Sequence, residues 1–174
     1  QEWGAGYEAG VTITYDALKV GIYGSEREAL TPNASTGQQI SDPFEGAWYV
    51  NYSFGPVAIG YTESYMDGGV TSAISTTSTT TAKTERTAGG IFTGEQLSIA
   101  FNVNDNLSIS YTSSDETYDT QDDAKTATTN DDDVTETIDA LQVAYSMGGM
   151  SIKAYNMEVS NPDQDDDAAD QSIT

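Results

Sequence analysis

Val11-Thr-Ile-Thr-Tyr15-Asp-Ala-Leu18-Lys-Val-Gly-Ile-Tyr23 is the stretch on which the fold turns. Apolar side chains stand at 11, 13 and 15, two turn residues follow, and apolar side chains resume at 18, 20 and 22. A period of two on both sides of a tight turn predicts an antiparallel β-hairpin. The pattern returns three times: Trp48–Phe54, Gly55-Pro56, Val57–Tyr61; Leu97–Val103, Asn104-Asp105-Asn106, Leu107–Tyr111; and Leu141–Met147, Gly148-Gly149, Met150–Ile152. The strands after the turns begin at 18, 57, 107 and 150. Only the lengths of the intervening loops vary.

Eight strands are therefore predicted, over 3–15, 18–26, 44–54, 57–66, 89–103, 107–116, 137–147 and 150–159, all within one domain. In the first, the odd positions from Trp3 to Tyr15 keep one parity for thirteen residues. That is long for a strand of a soluble protein, whose usual length is about 5–6 residues. A strand crossing a bilayer needs about 9–11. Beyond Asn161-Pro162 the chain reads as a polar tail.

Short turns alternate with long polar loops: Arg27 to Pro43, the Ser/Thr-rich run from Ser72 to Thr87, and an acidic loop holding Asp131, Asp132 and Asp133. An up-and-down meander sorts all short turns to one end and all long loops to the other, as in outer-membrane barrels. A soluble β-sandwich shares the alternation, but its Greek-key connections have no reason to sort loops by length. The expected fold is all-β: an up-and-down antiparallel transmembrane β-barrel.

Composition agrees and excludes other classes. Six basic against 28 acidic residues give a net charge of −22, which disfavours nucleic acid and anionic lipid surfaces as partners. The chain has no cysteine and no histidine, which removes thiolate chemistry, the commonest general base and the commonest transition-metal ligand. No enzymatic activity is expected. No apolar run reaches the roughly 18 residues that a membrane helix needs. No signal-peptide pattern opens the sequence, and both ends are expected at the long-loop end of the sheet, as in an internal piece of a longer barrel.

Parity assigns the faces. Lys19, Tyr23, Tyr49, Asn51, Thr62, Gln96, Gln142 and Lys153 fall on the polar face and are candidate pore-lining residues. Most of their neighbours there are small, Gly10, Gly21, Gly60, Ser98 and Ser110 among them, too small to fill an eight-stranded barrel but suited to a wider, wet one. Arg27, Lys83 and Arg86 are candidate charges for a constriction on the loop side, ordinary surface charge being the plainer reading. On the apolar face Tyr15, Tyr52, Phe54, Phe101 and Tyr145 gather near the short turns and Trp3 stands at the far end, an arrangement expected of aromatic girdles at two membrane interfaces. Glu95 and Asp139 share that face and are expected near its outer boundary or turned inward by a bulge. Asp131, Asp132, Asp133, Asp163, Asp165 and Asp167 offer hard oxygen ligands for loosely bound calcium, but lack the glycine and acidic residue of a helix-loop-helix site, so solvated acidic loops are the preferred reading. No other cofactor is expected.

Hairpins such as Tyr15–Tyr23, Phe54–Tyr61 and Val143–Lys153 resemble the general porins of Gram-negative bacteria, most closely those of α-proteobacteria. The resemblance covers all eight strands and rests on hairpin style. It implies a sixteen-stranded homotrimeric barrel in the outer membrane, of which this chain is about half. It also implies passive diffusion of small hydrophilic solutes and ions past a loop folded into the lumen. The acidic loops add an expectation of weak cation preference. The alternative is a non-channel outer-membrane barrel that binds a surface partner through its acidic, Ser/Thr-rich loops.

Overall fold

The computed structural model describes residues 2–30, 42–68, 91–119, 133–165 and 167–174, with the backbone alone at 2, 3, 29 and 30. Among these described residues nine strands form one antiparallel sheet in sequence order. They are β1 (Glu2–Tyr15), β2 (Leu18–Leu30), β3 (Phe44–Phe54), β4 (Val57–Asp67), β5 (Ile91–Asn104), β6 (Leu107–Asp119), β7 (Val134–Met147), β8 (Met150–Ser160) and β9 (Gln171–Ile173). The meander is open: β1 pairs with β2, β9 pairs with β8, and no ladder joins β1 to the far edge among the described residues.

The predicted hairpins form with the expected turns. The first turn residue has a positive φ in three of them, 51° at Asp16, 54° at Gly55 and 57° at Gly148. A positive φ at that position alone is the sign pattern of a type II′ turn, whose twist matches that of the flanking strands. The turn after β5 works differently. The Asn104 side-chain oxygen accepts from the backbone N–H of Asn106 at 2.9 Å and of Leu107 at 3.0 Å, closing an Asx turn.

Three details correct the sequence reading. The parity of β1 is not continuous from Trp3: the register shifts between Trp3 and Gly6, and regular alternation runs from Gly6 to Tyr15. Val103 does not extend the apolar row, because a second shift between Asn102 and Asn104 makes it an extra residue and sets Asn104 opposite Leu107. The stretch after Ser160 is not simply a polar tail. It passes through a 3-10 turn at Pro162–Gln164 and returns as β9, with Ile173 opposite Met157.

The register carries a regular stagger. Leu18, the first residue of β2, lies on one cross-sheet line with Tyr52, Ile59, Ile99, Tyr111, Leu141 and Asn156. Asn156 stands six residues above Met150, the first residue of β8, so six strand steps accumulate six residues of offset. With a rise of about 3.3 Å per residue and strands about 4.8 Å apart, a line through the turns crosses the sheet at about 35° to the hydrogen-bonding direction. Backbone bonds continue the stagger around the turns: Ser53 N–H donates to Ala17 O at 3.1 Å, Asn102 to Pro56 O at 2.8 Å and Ser146 to Asn106 O at 2.7 Å.

No conventional core forms among the described residues. Val159 is the one buried hydrophobic side chain, whereas Val11 is 60% exposed, Ile99 44% and Ile59 38%. Small residues of the opposite face, Ala58, Gly60, Ser98, Ala100 and Ser110, are more covered than Ile59, Ile99, Phe101 and Ile109. Cohesion comes from the backbone ladder and from cross-strand pairs, not from a second layer.

The turn geometry makes a prediction. A methyl group added at Gly55 or Gly149 meets no atom within 4 Å, but only Gly55 has a positive φ. Gly55→Ala is therefore expected to lower stability by about 1–2 kcal/mol, the cost of left-handed backbone for a residue bearing Cβ, and Gly149→Ala to be near neutral. Equilibrium urea denaturation of the two variants checks this.

Candidate functional site: the two faces of the sheet

Pairing fixes which side chains share a face. Directly opposed residues point the same way in an antiparallel ladder, so each cross-sheet line belongs to one side. Lys19 opposes Asn51, which opposes Gly60, then Ser98, Thr112 and Ala140. Gly21, Tyr49, Thr62, Gln96 and Ser114 make the next line. Tyr23 lies two residues above Gly21, and Gln142 and Lys153 hold the same parity on β7 and β8. The structure thus brings Lys19, Tyr23, Tyr49, Asn51, Thr62, Gln96, Gln142 and Lys153 to one face.

One cluster on that face is tightly packed. The Tyr49 ring covers Gly21, where an added Cβ would collide with Cε1 and Cζ. Its hydroxyl is 3.4 Å from Thr12 Oγ1, and Lys19 Nζ stands 5.6 Å from the ring centroid. Only glycine leaves room for the ring, which explains a glycine at the fourth residue of β2. Two strands further along, the Asn51 side-chain oxygen would meet a Cβ at Gly60. Ser98 Oγ and Thr112 Oγ1 share a hydrogen bond of 3.1 Å.

Higher on the same face stand four carboxylates, each held by a donor. Tyr23 Oη donates to Glu8 at 3.3 Å and Ser25 Oγ to Glu45 at 3.1 Å. The Asp163 backbone N–H donates to Glu136 at 2.7 Å and Gln164 Nε2 to Glu116 at 3.2 Å. The last two bonds show that the connection between β8 and β9 leans back across β7 and β6. Asn161 Nδ2 anchors it by donating to Thr135 O at 2.9 Å. Arg27 is on this face as well, its stem beside Gly6.

The other face is apolar near the short turns. Tyr15 is 79% exposed, and Tyr52, Phe54, Phe101 and Tyr145 are exposed beside it, with the Tyr52 and Phe54 rings stacked at 5.8 Å. Large apolar side chains continue up to Trp48 on β3, Tyr61 on β4, Leu97 on β5 and Leu141 on β7. There the chemistry changes. Glu63 opposes Glu95, which opposes Asp115, so three carboxylates stand side by side on adjacent strands. Neighbouring like charges at that spacing need water to screen them. Aromatic residues at the same level supply donors: Trp48 Nε1 to Glu63 at 2.8 Å, Tyr61 Oη to Glu63 at 2.6 Å, and Tyr111 Oη to Asp139 at 2.6 Å. Glu95 and Asp139 are not turned inward, since neither register shift lies near them.

Alternation by parity missed one region. On the upper polar face Ile138 opposes Val159, and Met157 opposes Ile173, so apolar side chains change sides above Tyr155. These residues form a small cluster, Val159 being 9% exposed, beside which the β8–β9 connection is anchored. Phe92 and Tyr118 make a second such cluster, with ring centroids 4.5 Å apart. The signal was present in Met157 and Val159, whose parity departs from that of Met150 and Ile152.

Several sequence candidates are not brought together. Among the described residues no three acidic side chains converge in a way that could hold a metal ion. Asp165 Oδ1 instead accepts from the Asp167 backbone N–H at 3.0 Å, within its own turn, and Asp133 lies on a different strand connection. Lys83, Arg86, Asp131, Asp132 and the Trp3 side chain lie outside the described residues. No protein-family model, no curated protein and no solved structure matches the chain.

Because the chain has no cysteine, the register can be tested by paired substitution. Ser98→Cys with Thr112→Cys, directly opposed, is expected to form a disulfide readily on mild oxidation. Ser98→Cys with Ser114→Cys, offset by two residues, is expected to remain reduced. Gel mobility with and without reductant reads both.

Proposed function

We propose that this chain forms part of an outer-membrane β-barrel channel, in which the apolar face meets lipid and the polar face lines a water-filled path for small hydrophilic solutes and ions. The observation that carries the reading is the pairing of an exposed apolar face with a half-covered face of small polar residues, on a sheet staggered by one residue per strand. A soluble sheet buries its large apolar side chains and wets its polar ones. Here Val11, Ile59 and Ile99 are exposed, and Gly60, Ser98 and Ser110 are the more covered.

Stagger supports closure as well. A sheet that rolls into a barrel must tilt its strands by about 35–45° and shift register by a fixed shear. The tilt of about 35° obtained from the register falls at the edge of that range. On β1 the apolar face runs from Tyr7 to Tyr15, eight rises, and on β4 from Val57 to Tyr61, four rises, below Glu63. At that tilt eight rises of about 3.3 Å give roughly 22 Å of height on β1, against an apolar band of about 25 Å in such barrels, and the four on β4 give roughly 11 Å. Aromatic residues lie at both limits: Tyr15, Tyr52, Phe54, Phe101 and Tyr145 near the turns, and Trp48, Tyr61 and Tyr111 at the carboxylate level. Rings with a polar edge favour these boundaries.

Nine strands with small inward side chains fit a barrel completed by further strands, as the resemblance to general porins implies. Trimeric assembly belongs to the same proposal and is carried by that resemblance alone. Lys19, Tyr49, Asn51, Thr62, Gln96 and Gln142 would then meet the passing solute, and the excess of acid on the polar face would favour cations.

Two measurements test the proposal. The full-length protein reconstituted in a planar bilayer is expected to give discrete conductance steps with reversal potentials of weak cation preference, and absence of steps would overturn the channel reading. In a variant with Trp3→Phe and any tryptophan outside this chain also replaced by Phe, Trp48 is the remaining tryptophan. Brominated lipids are expected to quench it strongly in vesicles. Quenching by aqueous iodide but not by bromolipid would place the apolar face away from the membrane.

A further inference from the structure

The polar face separates charge along its length. Its two lysines stand near the short turns: Lys19 is the second residue of β2 and Lys153 the fourth of β8. Its carboxylates stand toward the long loops, Glu45 six residues above Asn51, the partner of Lys19, and Glu136 eight above Ala144, the partner of Lys153. Six to eight rises of about 3.3 Å, on strands tilted by about 35°, put roughly 16–22 Å of pore axis between the two zones. Between them the described residues of this face are uncharged: Gly21, Tyr49, Asn51, Gly60, Thr62, Gln96, Ser98, Ser110 and Gln142.

Each zone contains an opposing charge. Arg27 stands near Glu8 and Glu45 on the neighbouring strands β1 and β3, while Glu116 and Glu136 stand together on β6 and β7 with Asp163 beside Glu136, so that level stays acidic. Asp16 and Asp105 lie in the short turns near the lysines and leave that end near neutral. Hydrogen bonds from Tyr23, Ser25, Asp163 N–H and Gln164 hold the four carboxylates in place.

Resting on the channel reading above, the geometry points to a rectifying pore: the acidic zone at the long-loop mouth and the neutral-to-basic zone at the short-turn mouth make ion flow larger in one direction than in the other. The physics is that of a channel with cation-rich solution at one end only. A field that drives cations in through the acidic mouth carries them toward a region where they accumulate together with entering anions, and conductance rises. The reverse field empties the junction and conductance falls. Current is therefore larger when the long-loop side is positive. The zones act separately while the Debye length, about 10 Å at 0.1 M salt, stays shorter than their separation. At 1 M it is about 3 Å, the wall charge no longer controls the lumen, and rectification fades.

The test uses the full-length protein in a planar bilayer under symmetric KCl. Orientation is fixed by Asp105→Cys in a short turn, modified by a membrane-impermeant maleimide from one side. In about 0.1 M KCl, current with the long-loop side positive is expected to exceed that at the opposite voltage by about 1.5-fold or more, and to become symmetric near 1 M. Combined Glu8→Gln, Glu45→Gln, Glu116→Gln and Glu136→Gln replacement, which keeps an acceptor at each position, is expected to abolish the asymmetry at low salt. Should that variant fail to insert, the four single replacements carry the same comparison, each reducing it in part. Conductance steps with a linear low-salt current–voltage curve would overturn rectification and leave the channel standing. Asymmetry of opposite sign, or asymmetry unchanged by the glutamine variants, would overturn the assignment to these carboxylates. Absence of any step would overturn the channel reading and this inference with it.

Discussion

Every strand from β2 to β8 hands both edges of its backbone to a neighbour, and that continuous ladder is what the rest of the molecule depends on. Buried or lipid-facing N–H and C=O groups must be paired, and a strand has no internal partners to offer. The ladder therefore does the work that a packed core does in a globular domain. It also fixes the faces. With one residue opposite one residue over nearly the whole sheet, a single slip would exchange the polar and apolar sides of a strand. Both register shifts lie at strand ends, in β1 near Trp3 and in β5 near Asn104, where few side chains remain to be misplaced.

Side-chain size then follows from the ladder. Where two backbones lie about 4.8 Å apart, a large ring can rest on a face only if a neighbour yields space. Tyr49 over Gly21 is the clearest case. The opposite face carries Val, Ile, Leu and aromatic residues side by side, several of them more exposed than the small residues of the polar face. Its upper limit is marked by chemistry rather than by the end of a strand. Glu63, Glu95 and Asp115 appear on adjacent strands, and Trp48 and Tyr61 turn their polar edges toward Glu63. An apolar stripe bounded by rings with hydrogen-bonding edges is the feature a bilayer reading explains and a lone soluble sheet does not.

The hairpins were the most legible part of the fold. Asp16-Ala17, Gly55-Pro56 and Gly148-Gly149 interrupt alternating runs so sharply that strand limits near the short turns agree with the structure. Strand ends near the long loops were less legible. Asp119 and Glu136 fall outside the predicted strands 107–116 and 137–147, yet their backbones continue the ladder. Polar composition does not end a strand whose hydrogen bonds go to a neighbour. β9 was missed for a related reason: Gln171-Ser-Ile173 is too short to show a period, and it is a strand because β8 offers it an edge.

The sequence alone determined the alternation, the turns, the sorting of short and long connections and the membership of each face, because these depend on residues one or two positions apart. Only the tertiary structure decided the stagger of one residue per strand, the row of opposed carboxylates, the seat of Tyr49 on Gly21 and the fold of the β8–β9 connection onto Glu116 and Glu136. Each of these depends on which residue of one strand stands opposite which residue of the next. Loops of many residues erase that information from the linear order, and hydrogen bonds between neighbouring strands restore it.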